Sequence, residues 1–403
     1  MTQIPPPRTG EPGLTAANRA AAPLRRIARA EVIVCRAPLA QPVVTSFGAM
    51  RDRPAVLLRL EDGDGVQGWG EAWCNFPACG AEHRARLLAQ VVLPMVLGRA
   101  LPAPDAVHAD LETRLRVLAL QTGEPGPLAQ TLAALDIALW DLAARRAGLP
   151  LARLLRADAP ASVPVYASGI DPGQASELIA VSRAAGFARF KMKVGFGRER
   201  DLSAVAAARA ALRDGETLLL DANQAWDLDA ALALASALEP HRPGWIEEPL
   251  AADAPLADWQ ALARSTSIPL AAGENIRGAA AFADALGSAA LAVVQPDACK
   301  WGGVSGCLRV AQAARAAGRR YCPHYLGGGI GLLASAHLLA AAGGDGWLEV
   351  DVNPNPLRDG LAQPFPAIRD GCMALPAGAG VGVEPDPDVL RRYTVLRLDL
   401  AAD

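Results

Sequence analysis

The 403-residue sequence has no stretch of 18 uninterrupted apolar residues, no CxxC pair and no block of charge of one sign, and each absence removes a class of protein. Without the apolar stretch no transmembrane helix is expected. The 39 Lys and Arg are interspersed with 42 Asp and Glu to a formal charge of -3, which leaves no basic field to attract nucleic acid or an anionic membrane. Seven cysteines, an odd number, mostly sit inside apolar segments, where Cys packs as a small hydrophobe; a reducing cytoplasm fits them best. Met1 to Ala22 is rich in Pro, Gly and Ala but lacks the apolar core of a signal peptide, and Arg25-Arg26 precedes no apolar h-region. Residues 1–27 therefore read as a disordered tail. Histidine is scarce as well: of five in the chain, His83, His108, His241 and His337 fall in helical or loop segments, which leaves His324.

What is present is core. Hydrophobic residues make up 51% of the chain, enough for a barrel of roughly 250 residues and a second domain. From about residue 28 to 70 two strand-like runs flank the turn Asp62-Gly63-Asp64-Gly65, and helical periodicity follows in EHRARLLAQVVLPMVLG, DAVHADLETRLRVLALQ and LAQTLAALDIALWDLAARRAG, the last ending at Gly148-Leu149-Pro150. After residue 161 the rhythm becomes strand, Gly- or Ala-rich helix, strand, through eight strands, several of them continuous apolar runs as parallel strands covered by helices require. The expected architecture is α/β: a (β/α)8-type, TIM-like barrel over 161–355, an α+β N-terminal capping domain over 28–160, and a Pro- and Gly-rich segment, 356–403, that returns to the cap.

Lys193, Asp221, Glu247, Glu274, Asp297, His324 and Glu349 each close a short apolar run and follow one another at steps of 23 to 28 residues, one β/α unit per step. A barrel gathers the C-terminal ends of its strands at one mouth, so seven reactive side chains are expected to meet there. Asp221, Glu247 and Glu274 end neighbouring strands, and three carboxylates in one pocket repel one another unless a divalent cation joins them; an all-oxygen set favours Mg2+ over zinc. Asn223, two residues past Asp221, adds an amide on the same face. Each acid could instead cap the helix after its strand, but three in register speak for the metal.

Lys191 and Lys193 point to one face of their strand, where like-charge repulsion and desolvation are expected to lower their pKa and make one a base near neutrality. Asp297 beside His324 would fix the ring tautomer and raise its basicity. Lys193 and His324 would then face each other across the pocket. Glu349 could donate a hydrogen bond to a carboxylate oxygen if burial raised its pKa, or else form a salt bridge.

At these residues the sequence resembles the enolase superfamily and, within it, the mandelate racemase subgroup. KMK at 191–193, DAN at 221–223, IEEP at 246–249, GEN at 273–275, PDACKWGG at 296–303 and His324 follow the subgroup's pattern in order and spacing. The resemblance covers nearly the whole chain from about residue 28. It implies Mg2+ on Asp221, Glu247 and Glu274, an acid/base pair of Lys193 and His324, Asp297 as partner of His324, Glu349 as electrophilic acid, and Lys191 with Ser168 on the substrate carboxylate. The muconate-lactonizing branch has a lysine where this chain has Asp297, and Lys300, offset by three, does not restore it. The stretch from His324 to Glu349 is longer than in mandelate racemase and carries Gly327-Gly328-Gly329, which leaves the reach of Glu349 open. The lid segments QPVVTSFGAM and WCNFPACG are not those of mandelate racemase either.

The chemistry so implied is abstraction of the proton α to a carboxylate through a stabilised enediolate. Loss of a β-hydroxyl from a hydroxy acid or acid sugar is favoured; reprotonation on the opposite face, as a racemase or epimerase, is the alternative. Val43, Val44, Phe47, Trp73 and Phe76 in the lids suit a substrate less polar than a hexarate. A barrel that binds metal and ligand without turnover is the rival of another class, opposed by the two bases. The expected partners are a small carboxylate and, as a homo-oligomer, further copies of the chain.

Overall fold

The computed structural model describes residues 22–45 and 48–402. Its first sheet is antiparallel. The strands β1 (Ile27–Thr45), β2 (Gly48–Asp62) and β3 (Gln67–Ala72) follow as hairpins, and the C-terminal strand Thr394–Ala401 pairs with the free edge of β1. The helix Pro125–Arg146 lies on this sheet, and from Leu128 to Ala144 every residue but Ala129 is buried. Close approach is what β3 needs glycine for: a Cβ on Gly70 would stand 2.0 Å from the Ala134 carbonyl oxygen, and one on Gly68 2.4 Å from that of Ala138.

Eight parallel strands make the second body: β4 (Ser162–Ile170), β5 (Arg189–Lys193), β6 (Thr217–Asp221), β7 (Ile246–Glu247), β8 (Leu270–Ala272), β9 (Val293–Val294), β10 (Arg320–Tyr321) and β11 (Leu348–Asp351). Parallel ladders join β4 through β10 in chain order, and β11 pairs with the other side of β4. Seven helices alternate with these strands, while the eighth unit has only the short helix Pro356–Gly360. Among the described residues no ladder joins β10 to β11. Their edges still abut, for Trp347 N–H donates to Cys322 Sγ at 3.3 Å and a Cβ on Gly346 would meet the Tyr321 carbonyl oxygen at 1.8 Å. Inside the ring, Tyr166, Leu219, Trp245, Ala271, Val293 and Cys322 pack as an apolar floor.

Several expectations need amending. The tail expected over 1–27 lies outside the described residues as far as residue 21, but Leu24 and Ile27 are buried, with Leu24 bridged to Leu101. Part of the segment expected to return to the cap goes elsewhere: the hairpin Ile368–Arg369 and Cys372–Ala374 pairs with the N-terminal end of β4. The run EHRARLLAQVVLPMVLG is not one helix. It passes from Gly80–Leu87 through a π turn, Leu88–Val92, to a 3-10 turn, Leu93–Met95, because Pro94 has no N–H to continue the ladder.

Candidate active site

Alternation along β5 sends Phe190 and Met192 into the surrounding core and Lys191 and Lys193 into the ring. Lys191, 1% exposed, places Nζ 2.6 Å from Glu247 Oε1, 2.7 Å from Glu349 Oε1 and 3.5 Å from Asp221 Oδ2, over the face of Tyr166. The Lys193 ammonium, a quarter exposed, donates to Asp221 Oδ2 and to Asn223 Oδ1, each at 2.6 Å. Asn223 N–H returns a hydrogen bond to Asp221 Oδ1 at 2.9 Å.

On the other side of the ring Asp297 and His324 lie three residues past the ends of β9 and β10, and Glu274 two past β8. His324 Nδ1 stands 2.7 Å from Asp297 Oδ2, and Asp297 Oδ1 accepts from the Cys299 and Lys300 amides, which fixes the carboxylate. With Nδ1 so held, Nε2 faces Glu274 Oε2 at 2.9 Å and Glu349 Oε2 at 3.8 Å. Glu349 is the second residue of β11 rather than its last. It accepts from the Ser168 hydroxyl at 2.5 Å and from Tyr325 N–H at 3.0 Å. All ten residues singled out from the sequence thus fall in one connected network. Among the described residues no three His, Cys, Asp or Glu side chains stand at ligating distance of a common point; each acid faces a Lys, a His or an amide instead.

The electrostatics reverse two expectations. Burial alone would depress Lys191, but Glu247 and Glu349 raise it well above the ordinary lysine value, and at Lys193 Asp221 and Glu247 together raise the value against burial. Opposite charges at 2.6 Å dominate over the neighbouring ammonium. Glu349, which burial would raise, is held below its usual range by Lys191 and His324, so as placed it is ionised. His324 rises well above 6.5, since Glu274 and Glu349 overcome its burial. Glu247 behaves otherwise: burial pushes it up to about 7 despite Lys191. Its neighbour Glu248, held by Asn275 Nδ2 at 3.0 Å, goes to about 8 for the same reason. The pocket gathers more acids than cations.

The cap closes one side of the site. Trp73 N–H donates to the Cys299 carbonyl at 3.0 Å, the Trp73 ring lies 4.8 Å from Lys300 Nζ, and Asn75 donates to the Leu326 carbonyl at 2.9 Å. Residues 41–45 and 48–50, the expected first lid, form the end of the β1–β2 hairpin, and a Cβ on Gly48 would touch the Phe76 ring of the second at 3.0 Å. Phe47 lies outside the described residues.

Sequence reasoning missed Glu248, Gln295, which donates to Glu247 Oε2 at 2.7 Å, and Lys300, whose Nζ lies 3.1 Å from Glu274 Oε2. Lys300 did carry a signal. The chain has only three lysines, Lys191, Lys193 and Lys300, and all three are in this pocket.

Comparison with known proteins agrees with the fold. Residues 174–389 match the model of the enolase C-terminal domain-like family, and residues 28–156 match that of the mandelate racemase / muconate lactonizing enzyme N-terminal domain. The chain belongs to the enolase superfamily, in its mandelate racemase subgroup. Among its relatives, D-galactarolactone cycloisomerase of Agrobacterium fabrum is 32% identical over 85% of this chain and 91% of that protein. A crystal structure of a mandelate racemase/muconate lactonizing enzyme from Bordetella bronchiseptica superposes with TM-score 0.85 at 50% identity, covering 92% and 99% of the two chains. L-talarate dehydratase from Polaromonas sp., complexed with Mg and L-glucarate, superposes with TM-score 0.79 at 29% identity over 94% and 99%. No described helix of this enolase-superfamily chain is long and apolar enough to cross a membrane.

Proposed function

We propose that this protein is a Mg2+-dependent enzyme that removes the proton α to the carboxylate of a small hydroxy acid or acid sugar and then expels the β-hydroxyl. His324 carries the reading: a buried carboxylate fixes its Nδ1 while its Nε2 faces the pocket, across the ring from Lys193. An acid sugar is suggested by the relatives, which include a galactarolactone cycloisomerase and a talarate dehydratase.

Asp221, Glu247 and Glu274 would hold the ion. They offer only oxygen donors, and a cation, the Lys191 ammonium, already stands 2.6 Å from Glu247 and 3.5 Å from Asp221. Bound Mg2+ supplies the charge that stabilises the dianion as the proton leaves. The protein's own groups do the rest. With the three acids engaged by the ion, Lys191 and Lys193 would keep fewer ion-pair partners, which would lower the cost of a neutral Lys193. Lys191 and Ser168 would bind the substrate carboxylate. His324, charged as it stands, would protonate the departing hydroxyl, and Glu349, ionised as it stands, takes up a proton once a substrate anion displaces Lys191 from it. We place the enzyme in the cytoplasm, as its seven free cysteines suggest, and as a homo-oligomer, for which Val117, Leu118 and Leu120, 63, 39 and 65% exposed on the helix Pro104–Thr122, offer an apolar patch.

The test is a screen of hydroxy acids and acid sugars in deuterated buffer with Mg2+, following both α-deuterium uptake and 2-keto acid release. Keto acid should form, chelator should abolish it, and His324→Asn should stop it while Lys193 still exchanges the α-proton of one configuration. Deuterium uptake with inversion and no keto acid would assign a racemase instead. Full activity after dialysis against EDTA, or wild-type turnover by His324→Asn, would overturn the reading.

A further inference from the structure

His324 stands in a stretch, residues 322–328, that is neither strand nor helix and that runs into Gly327, Gly328 and Gly329, which give it little stiffness of its own. Its backbone is held by side chains from elsewhere. Tyr325 N–H donates to Glu349 at 3.0 Å, the Leu326 carbonyl accepts from Asn75 Nδ2 at 2.9 Å and the Gly327 carbonyl from Asn355 Nδ2 at 2.8 Å. The Gly328 carbonyl accepts from the Tyr325 hydroxyl at 2.6 Å, and Gly328 N–H donates to Glu71 Oε1 at 2.5 Å. The second oxygen of Glu71 accepts from Gly331 N–H at 2.9 Å, in the first turn of the helix Gly329–Ala342. The stretch has no slack. A Cβ on Gly327 or Gly331 would lie 2.5 Å from the Tyr325 hydroxyl, and one on Gly328 2.7 Å from Glu71.

Two of these holders come from the other body of the fold. Glu71 is on β3 and Asn75 three residues past its end, in the segment that carries Trp73 and Phe76. Glu71 is 2% exposed and faces no Lys, Arg or His at ion-pair distance among the described residues, an expensive placement for a carboxylate whose partners are backbone amides of the barrel. Burial pushes its pKa up to about 7 even against those amides.

We propose that Glu71 and Asn75 are positioning residues, through which the cap sets His324 against Asp297 and the pocket, so that seating of the segment 73–80 decides whether the imidazole stands in place. The proposal rests on His324 acting as acid or base, as argued above. It differs from a purely structural joint in what it predicts for catalysis: a misplaced imidazole slows one proton transfer and leaves the other alone.

The experiment uses Glu71→Gln, Asn75→Ala and the double variant of the full chain with Mg2+ and the best substrate from the screen. Glutamine keeps the shape but turns an NH2 toward one of the two backbone N–H groups. For each single variant kcat should fall roughly 10²-fold, the scale of an ångström misplacement, with KM within a few-fold. α-Deuterium exchange should slow only in the configuration that His324 faces and persist where Lys193 acts. The double variant should lose less than the product of the single losses, since both residues hold one stretch of backbone. Equal loss on both faces, or wild-type kcat in both single variants, overturns the proposal. Failure of the underlying reading looks different, because the wild type itself then exchanges no α-proton. Should Glu71→Gln fail to fold, Asn75→Ala, which removes one neutral donor, carries the test alone.

Discussion

Lysine and arginine divide the work of this chain by chemistry. Of 39 basic residues only Lys191, Lys193 and Lys300 are lysine, and each stands in the pocket, whereas the ion pairs elsewhere use arginine or histidine. Guanidinium does not lose its proton near neutrality and an ammonium can, so a site that must pass a proton needs the rarer residue. Lys191 shows how tightly such a residue is tied to its surroundings, lying buried between Glu247 and Glu349. Replacing it by Met leaves Glu247 without its cation and Glu349 with His324 alone, and we expect Lys191→Met to lose about 3–5 kcal/mol of stability in urea unfolding, the usual cost of breaking a buried pair. Added Mg2+ should recover part of the loss. An unchanged midpoint without metal would mean that the lysine does not neutralise the two acids.

Elements meet here at separations that small residues set. Gly68 and Gly70 of β3 bring the sheet against the backbone of the helix Pro125–Arg146, and Asp136 on that helix in turn accepts from Ser305 N–H at 2.9 Å and its hydroxyl at 2.6 Å, at the start of the barrel helix Gly303–Ala316. A methyl on Gly70 would have nowhere to go, because the atoms it meets are backbone. Gly70→Ala should cost about 1–3 kcal/mol by chemical denaturation, the range for overpacking, and stability within error of wild type would show that helix and strand can part. The repeat of strand and helix was legible at this scale because reactive residues recur once per β/α unit, at or near the strand ends. The cap's π turn and the missing eighth helix were not, since a Pro94 in an apolar run and a Pro- and Gly-rich tail say where a helix is weakened but not what replaces it.

Across the whole molecule one residue ties three parts together. His337, on the barrel helix Gly329–Ala342, accepts from Ala152 N–H at Nδ1 and faces the Val381 carbonyl with Nε2 at 3.3 Å, joining the barrel, the helix Leu151–Leu155 and the C-terminal segment. Burial lowers its pKa from 6.5 to about 4, against the small opposing pull of Val381. The folded state then refuses a proton that the unfolded chain accepts, so the contribution of His337 to stability is complete above 6.5, falls as the pH drops toward 4, and is flat below. That drop should amount to about 3 kcal/mol, at 1.36 kcal/mol for each pH unit. It should be absent from His337→Gln, measured as the difference between the two proteins in urea midpoints at pH 7 and pH 4.5. Parallel pH curves would show that the imidazole takes a proton without unfolding.

The sequence by itself determined the barrel and which residues it gathers in one pocket, because both are written in local terms: apolar runs make parallel strands, and residues near the ends of the runs meet at the mouth. Only the tertiary structure decided the charge states and the supports. Whether Lys193 is raised or lowered depends on the 2.6 Å to Asp221, and whether Glu349 is an acid or a base depends on Lys191 and His324 beside it. Glu71 lies 257 residues from Gly328 and gives no sign in its own sequence neighbourhood of the backbone it holds. Electrostatic energies follow distances through space, and a contact between two bodies of a fold has no period along the chain from which it can be read.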